Sequence, residues 1–91
     1  MTYKEQLYYL LSEYIKGNYT TNDFCNQFGI IYNTKLDYDD LSDKEDDLFK
    51  KLTDITERFS PYEEDLKIPN AFKSETDVKD IAEKTYNALM N

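Results

Sequence analysis

The sequence predicts an all-α protein, specifically an antiparallel four-helix bundle with a long loop between helices three and four. Four Ser or Thr residues each stand three positions before an acidic residue, which is the pattern of a capping box at a helix N-terminus. Apolar residues at helical spacing follow each pair, so every helix has one apolar stripe that must be buried against the others. The four pairs are Thr2–Glu5, Thr20–Asp23, Ser42–Glu45 and Ser74–Asp77.

The first two predicted helices form a hairpin. The first ends at Gly17, a residue type that favours helix C-termini. The second covers about residues 21–32, and because its connection to the first is short, the two are expected to be antiparallel neighbours. Their apolar stripes consist of Tyr3, Leu7, Leu10, Leu11 and Tyr14 in the first helix and of Phe24, Phe28 and Ile31 in the second.

The third predicted helix, about residues 42–59, ends before Pro61, and the fourth covers about residues 75–90. The connection between them, residues 60–73, is long for so small a protein, and a loop of this length is either functional or mobile. The predicted core stripes are Leu41, Leu48, Leu52, Ile55 and Phe59 in the third helix and Val78, Ile81, Ala82, Thr85 and Leu89 in the fourth.

The composition indicates one domain, residues 1–91, without catalytic chemistry. The chain has no His and a single Cys, Cys25, which is expected to be buried, so His-dependent nucleophiles and disulfides are excluded. A chain of this length also leaves little room for a substrate cleft. The acids from Asp37 to Asp40 begin like a calcium-binding EF-hand loop, but Ser42 stands where that loop needs Gly. We therefore expect no catalytic residue, no cofactor and no metal.

The sequence shows neither a signal peptide nor an apolar run of membrane-spanning length, so a cytoplasmic protein without membrane contact is expected. The formal charge of −8 arises entirely between Asp37 and Asp65, where twelve acids meet four bases; the rest of the chain is neutral. Such a concentrated negative charge repels nucleic acid and attracts a basic protein.

A candidate binding surface follows from this concentration of acids. On the third helix Asp43, Asp47, Lys50, Asp54 and Glu57 recur at spacings of four and three, which predicts one solvent-facing stripe. The loop after Pro61 adds further acids around Tyr62, an aromatic residue suited to anchor an interface. The alternative is a solvated face that only keeps the protein in solution. The candidate residues are Asp43, Asp46, Asp47, Asp54, Glu57, Tyr62, Glu63, Glu64 and Asp65.

Three segments resemble the colicin D immunity proteins and the related immunity proteins of contact-dependent growth inhibition. Asp47-Leu48-Phe49 followed by Glu57-Arg58-Phe59-Ser60-Pro61 is similar to the acid-Leu-Phe and Glu-Arg-Phe-x-Pro motifs of that family. Residues 14–24 resemble its first helical hairpin, and residues 78–84 its closing helix. The resemblance covers about residues 7–89. It departs from the family at Ser60 and Tyr62, where the family has acids.

The resemblance implies a four-helix protein that binds the nuclease domain of a tRNA-cleaving toxin as a 1:1 complex and is a monomer when free. Members place an acidic surface in the basic cleft of the toxin, and Glu57 matches a family position implicated in that contact. Under this reading the candidate residues above bind the toxin. Two alternatives remain: an acidic nucleic-acid mimic or adaptor for another basic protein, and a helical regulatory module whose acids only solvate it.

Overall fold

The computed structural model describes residues 2–68 and 71–90, which form an all-α protein, as predicted. No strand occurs among these residues; one isolated bridge joins Phe59 and Lys73. None of the described helices is both long enough and apolar enough to cross a bilayer. The described residues contain five α-helices, namely α1 (Tyr3–Ile15), α2 (Thr21–Ile30), α3 (Asp43–Glu57), α4 (Glu63–Leu66) and α5 (Glu75–Met90).

The long helices begin at the predicted capping pairs. At Thr20 the hydroxyl accepts a hydrogen bond from the Asp23 N–H at 3.1 Å. Gly17 follows α1 with a φ of 90°, a left-handed conformation that Gly adopts without steric cost. Both hydrogen bonds of a capping box are present at the other three pairs, which are Thr2–Glu5, Ser42–Glu45 and Ser74–Asp77. Local side-chain chemistry therefore determines where these helices start.

Aromatic packing joins α1, α2 and α3. The Tyr14 ring stacks on Phe24 with centroids 4.2 Å apart, and its hydroxyl is hydrogen bonded to Thr21 at 2.9 Å. The buried hydroxyl is therefore satisfied. Phe24 contacts Phe28 at 5.4 Å, and Phe28 lies 5.8 Å from Phe49 of α3. These rings form the centre of the core, which α5 completes with Val78, Ala82 and Thr85.

The predicted core stripe of α3 is confirmed in part. Leu52 is fully buried, and Leu41, Ile55 and Phe59 pack against the core, but Leu48 does not take the central position. Leu48 and Ile55 are only half-buried. The Phe49 ring instead fits between Phe28 and Tyr8, with centroids 5.8 and 5.6 Å away. Because Phe49 occupies the centre, Leu48 and Ile55 lie toward the edges of the core. The residues of α3 that are buried are Phe49, Leu52, Thr53 and Thr56.

The end of α2 also differs from the prediction, which ended the second helix at about residue 32 and began the third at about residue 42. The helix continues as a π-helical turn, and a short 3₁₀ turn follows; they cover Ile31–Lys35 and Tyr38–Asp40. The π-turn directs Asn33 toward α3, where its side-chain amide donates to Glu57 at 2.8 Å. The Tyr38 hydroxyl donates to the Tyr32 carbonyl at 2.8 Å and ties the two turns together.

Two backbone hydrogen bonds join the two ends of the segment between α3 and α5. The Ser60 N–H donates to the Lys73 carbonyl at 3.1 Å, and the Lys73 N–H donates to the Arg58 carbonyl at 2.8 Å. The third helix therefore ends at Glu57, two residues before the predicted end, and Phe59 takes part in the bridge. The short helix α4 lies inside this closed loop.

Glu45 connects the start of α3 to the start of α1. Its carboxylate accepts a hydrogen bond from the Tyr8 hydroxyl at 2.5 Å and lies 3.0 Å from the Lys4 ammonium. Burial alone would raise the pKa of Glu45, but hydrogen bonds from Ser42, Tyr8 and Lys4 outweigh it and lower the pKa to about 2. Burial and the bond to Glu45 raise the pKa of the Tyr8 hydroxyl. This acid holds two helices together.

Two substitutions in α3 separate the observed core from the predicted one. Phe49→Ala is expected to lower the free energy of unfolding by about 3–5 kcal/mol, because it empties a fully buried site. Leu48→Ala is expected to cost only about 1 kcal/mol, because Leu48 is half-buried. Urea denaturation followed by circular dichroism measures both values. Equal losses would contradict the central position of Phe49.

Glu45 is expected to make stability depend on pH. Its pKa is lowered on folding, so its contribution to the free energy of unfolding is complete above about pH 4.5 and is lost as the pH falls toward 2. Glu45→Gln is expected to cost about 1–3 kcal/mol at pH 7 and to flatten the loss of stability between pH 4.5 and 2. Urea midpoints across this range measure the effect. Glu64→Gln, an exposed acid, is the matched control, and an equal change in that variant would contradict the role of Glu45.

Candidate protein-binding surface

The acids of α3 lie on the side of the helix away from the core. Asp43, Asp47, Lys50, Asp54 and Glu57 are all exposed, which confirms the predicted solvent-facing stripe. Asp46 lies at the edge of this stripe, half-buried, and accepts a hydrogen bond from the Tyr32 hydroxyl at 3.3 Å. The α3 acidic face is the set of five acids Asp43, Asp46, Asp47, Asp54 and Glu57.

Two acids of this face have local cationic partners. Asp47 lies 3.0 Å from Lys51, and Asp54 lies 3.5 Å from Arg58. Both pairs join neighbouring turns of one exposed helix, so each contributes only about 0.3–0.5 kcal/mol. A basic partner can therefore replace Lys51 and Arg58 at small cost. The carboxylates remain available for an interface.

The other predicted binding residues lie in the loop around α4. Tyr62 is 69% exposed, and Glu63 and Glu64 are exposed as well. Asp65 is half-buried and accepts a hydrogen bond from the Ser60 hydroxyl at 2.6 Å. Asp65 thus shapes the loop, whereas Tyr62, Glu63 and Glu64 are the members that a partner can reach directly.

Ser60 is one of the two positions where the chain departs from the family pattern. Its side chain is buried, and besides donating to Asp65 its hydroxyl accepts a hydrogen bond from the Tyr62 N–H at 3.2 Å. An acid at this position would have to be buried beside Asp65, at a high cost in free energy. The short hydroxyl side chain of Ser60 therefore suits the turn observed before α4.

The loop also exposes apolar side chains that the sequence analysis did not single out. Leu66, Ile68 and Phe72 are 37–50% exposed, close in sequence to the exposed Tyr62. Protein interfaces commonly combine an aromatic or aliphatic centre with a charged rim. In the sequence, these residues could have been noticed as apolar side chains in a segment without helical periodicity.

An open groove of about 940 Å³ lies beside α3, although the chain length argued against a cleft. Four members of the α3 acidic face line it, namely Asp46, Asp47, Asp54 and Glu57. Tyr32, Asn33 and Tyr38 also line it, and the sequence pointed to none of these three as functional. The remaining predicted residues, Asp43 and the loop residues 62–65, are not part of its lining.

The structure also bears on metal binding and on thiol chemistry. Within residues 2–68 and 71–90, no three His, Cys, Asp or Glu side chains are grouped so as to hold a metal ion. Asp37 uses its carboxylate to cap the N–H of Asp39 at 3.0 Å. Cys25 is buried, as predicted, and burial raises its pKa to about 12, so a thiolate does not form at neutral pH.

No protein-family model, no curated protein and no solved structure matches this chain. The resemblance to the colicin D immunity proteins therefore rests on short motifs alone. The function is inferred from the exposed acids of α3, the loop around α4 and the groove between α3 and the end of α2.

Proposed function

We propose that this chain is an immunity protein of the colicin D type, which binds the nuclease domain of a tRNA-cleaving toxin and blocks its basic cleft. The observation that supports this most is the concentration of exposed acids on α3 and around α4. A nuclease needs Lys and Arg side chains in its cleft to hold the RNA backbone. Carboxylates arranged on one rigid helix are complementary to such a cleft.

The proposal includes an antiparallel bundle of α1, α2, α3 and α5, with the loop around α4 as its long connection. Lys4 and Tyr8, near the start of α1, contact Glu45 near the start of α3, as expected for two helices that run in the same direction. Tyr32, just after α2, reaches Asp46 in the first turn of α3, as expected for α2 and α3 running in opposite directions.

The two parts of the surface have different roles in this proposal. The acids of α3 attract the basic toxin and accelerate encounter, because long-range electrostatic forces act before contact. The exposed apolar side chains of the loop, Tyr62, Leu66 and Phe72, exclude water after contact, which lengthens the life of the complex. Fast capture followed by slow release is what neutralises a catalytic toxin.

Removing four acids of the surface is expected to weaken toxin binding by about 100-fold or more, because each buried charge pair at an interface contributes on the order of 1 kcal/mol or more. The four changes are Asp54→Asn, Glu57→Gln, Glu63→Gln and Glu64→Gln. Affinity for the C-terminal nuclease domain of a toxin encoded directly upstream measures the effect. Survival of cells that express both proteins shows whether protection is lost.

The matched control removes four exposed acids from other helices, so the net charge changes equally. Its changes are Asp23→Asn, Glu75→Gln, Asp80→Asn and Glu83→Gln. We expect this variant to retain protection, and circular dichroism to show the same helicity for both variants. Equal protection by the two variants would place the interface elsewhere. Binding to basic proteins without protection from the toxin would favour the acidic adaptor instead.

The rate of association is expected to fall steeply with salt. Between about 50 and 500 mM salt the Debye length shrinks several-fold, so attraction between the exposed acids and a basic cleft is screened. The dissociation rate is expected to change much less, because apolar contacts around Tyr62 are not screened. Stopped-flow mixing measures both rates. An association rate that does not depend on salt would rule out electrostatic capture.

A further inference from the structure

The exposed ring of Tyr62 depends on the backbone beneath it for its position. Tyr62 is 69% exposed and directly precedes α4, a helix of four residues. A helix this short has little stability of its own. An aromatic side chain contributes most to an interface when it is already held in the conformation of the complex, because ordering it during binding costs conformational entropy. The contacts that order the backbone at Tyr62 therefore bear directly on binding.

The side chain of Ser60 makes two such contacts. Its hydroxyl donates a hydrogen bond to the Asp65 carboxylate at 2.6 Å and accepts one from the Tyr62 N–H at 3.2 Å. Tyr62 precedes α4 and Asp65 lies within it, so one hydroxyl joins both to the same point. Ser60 is 5% exposed, so water competes little for these hydrogen bonds.

The main chain of Ser60 is joined to the ends of the two long helices. Its N–H donates to the Lys73 carbonyl at 3.1 Å, and the Lys73 N–H donates to the Arg58 carbonyl at 2.8 Å. Arg58 directly follows α3, and Lys73 lies two residues before α5. Pro61 has a fixed φ and restricts the residue before it to extended conformations. The position of the Ser60 hydroxyl is therefore set by α3 and α5.

We infer that Ser60 is a positioning residue, which holds Tyr62 in its binding conformation before a partner arrives. The inference rests on the proposed function, in which Tyr62 contacts the toxin. Without the hydroxyl, the Tyr62 N–H and the Asp65 carboxylate would turn to water, and the start of α4 would no longer be joined to the long helices through this side chain. A smaller fraction of molecules would then have the binding conformation, and the measured affinity would fall with that fraction.

The first experiment measures order in the free chain by ¹⁵N NMR relaxation. The order parameter of the Tyr62 amide is expected to be about 0.85 in the wild type, as in rigid backbone, and to fall to about 0.6 or lower in Ser60→Ala. Asp65→Ala removes the acceptor of the shorter bond and is expected to lower it as well. Ser12→Ala, which removes a hydroxyl from α1, is the matched control and is expected to leave Tyr62 unchanged. Circular dichroism is expected to show equal helicity in all four proteins.

The second experiment measures affinity for the C-terminal nuclease domain of a toxin encoded directly upstream. Ser60→Ala is expected to raise the Kd about five-fold, although it leaves the net charge unchanged. If Ser60 acts through Tyr62, its effect depends on that ring, so Ser60→Ala is expected to change the Kd less than about two-fold in a chain that already carries Tyr62→Ala. A general loss of stability would weaken binding equally in both backgrounds.

Equal order of Tyr62 in the wild type and in Ser60→Ala would overturn the inference, and so would a Tyr62 amide that is already mobile in the wild type. Additive effects of the two substitutions on the Kd would show that Ser60 does not act through Tyr62. A wild-type chain that fails to bind the nuclease domain would instead contradict the proposed function. The relaxation measurements need no toxin and would still decide whether Ser60 orders Tyr62.

Discussion

The burial of Phe49 between Phe28 and Tyr8 sets the rotation of α3 about its axis, and much of the surface depends on that rotation. Had Leu48 taken the central position, Asp46 and Glu57 would point straight into solvent. With Phe49 in the core they turn toward the end of α2, where they meet Tyr32 and Asn33. A single core contact thus brings two acids of α3 beside the end of α2.

The structure also limits the electrostatic repulsion that arises when acids are concentrated on one helix. Asp43, Glu45 and Asp46 lie in the first turn of α3, where the helix dipole stabilises negative charge. Glu45 is withdrawn from the surface into its contacts with α1, and Asp65 into its bond with Ser60. Only part of the formal charge therefore faces solvent, and that part lies where a partner can reach it.

The helices were predictable because capping pairs and apolar periods are local signals, and the exposed stripe of α3 follows from the same period. The rotation of α3 was not predictable, since Leu48 and Phe49 are adjacent and apolar and only the partner rings decide between them. Asn33 and Glu57 are 24 positions apart, so no local pattern indicates their bond. The groove was missed for the same reason, because it forms between elements that are distant in sequence.

The two backbone hydrogen bonds that join Arg58, Ser60 and Lys73 have a consequence for how such a protein can diversify. They close the loop on main-chain atoms, which every residue type except proline provides. Substitutions, insertions and deletions between these anchor points can accumulate without disturbing the helices on either side. A lineage can therefore exchange the tip of this loop, and with it the exposed residues that a partner would meet, while the aromatic core stays the same.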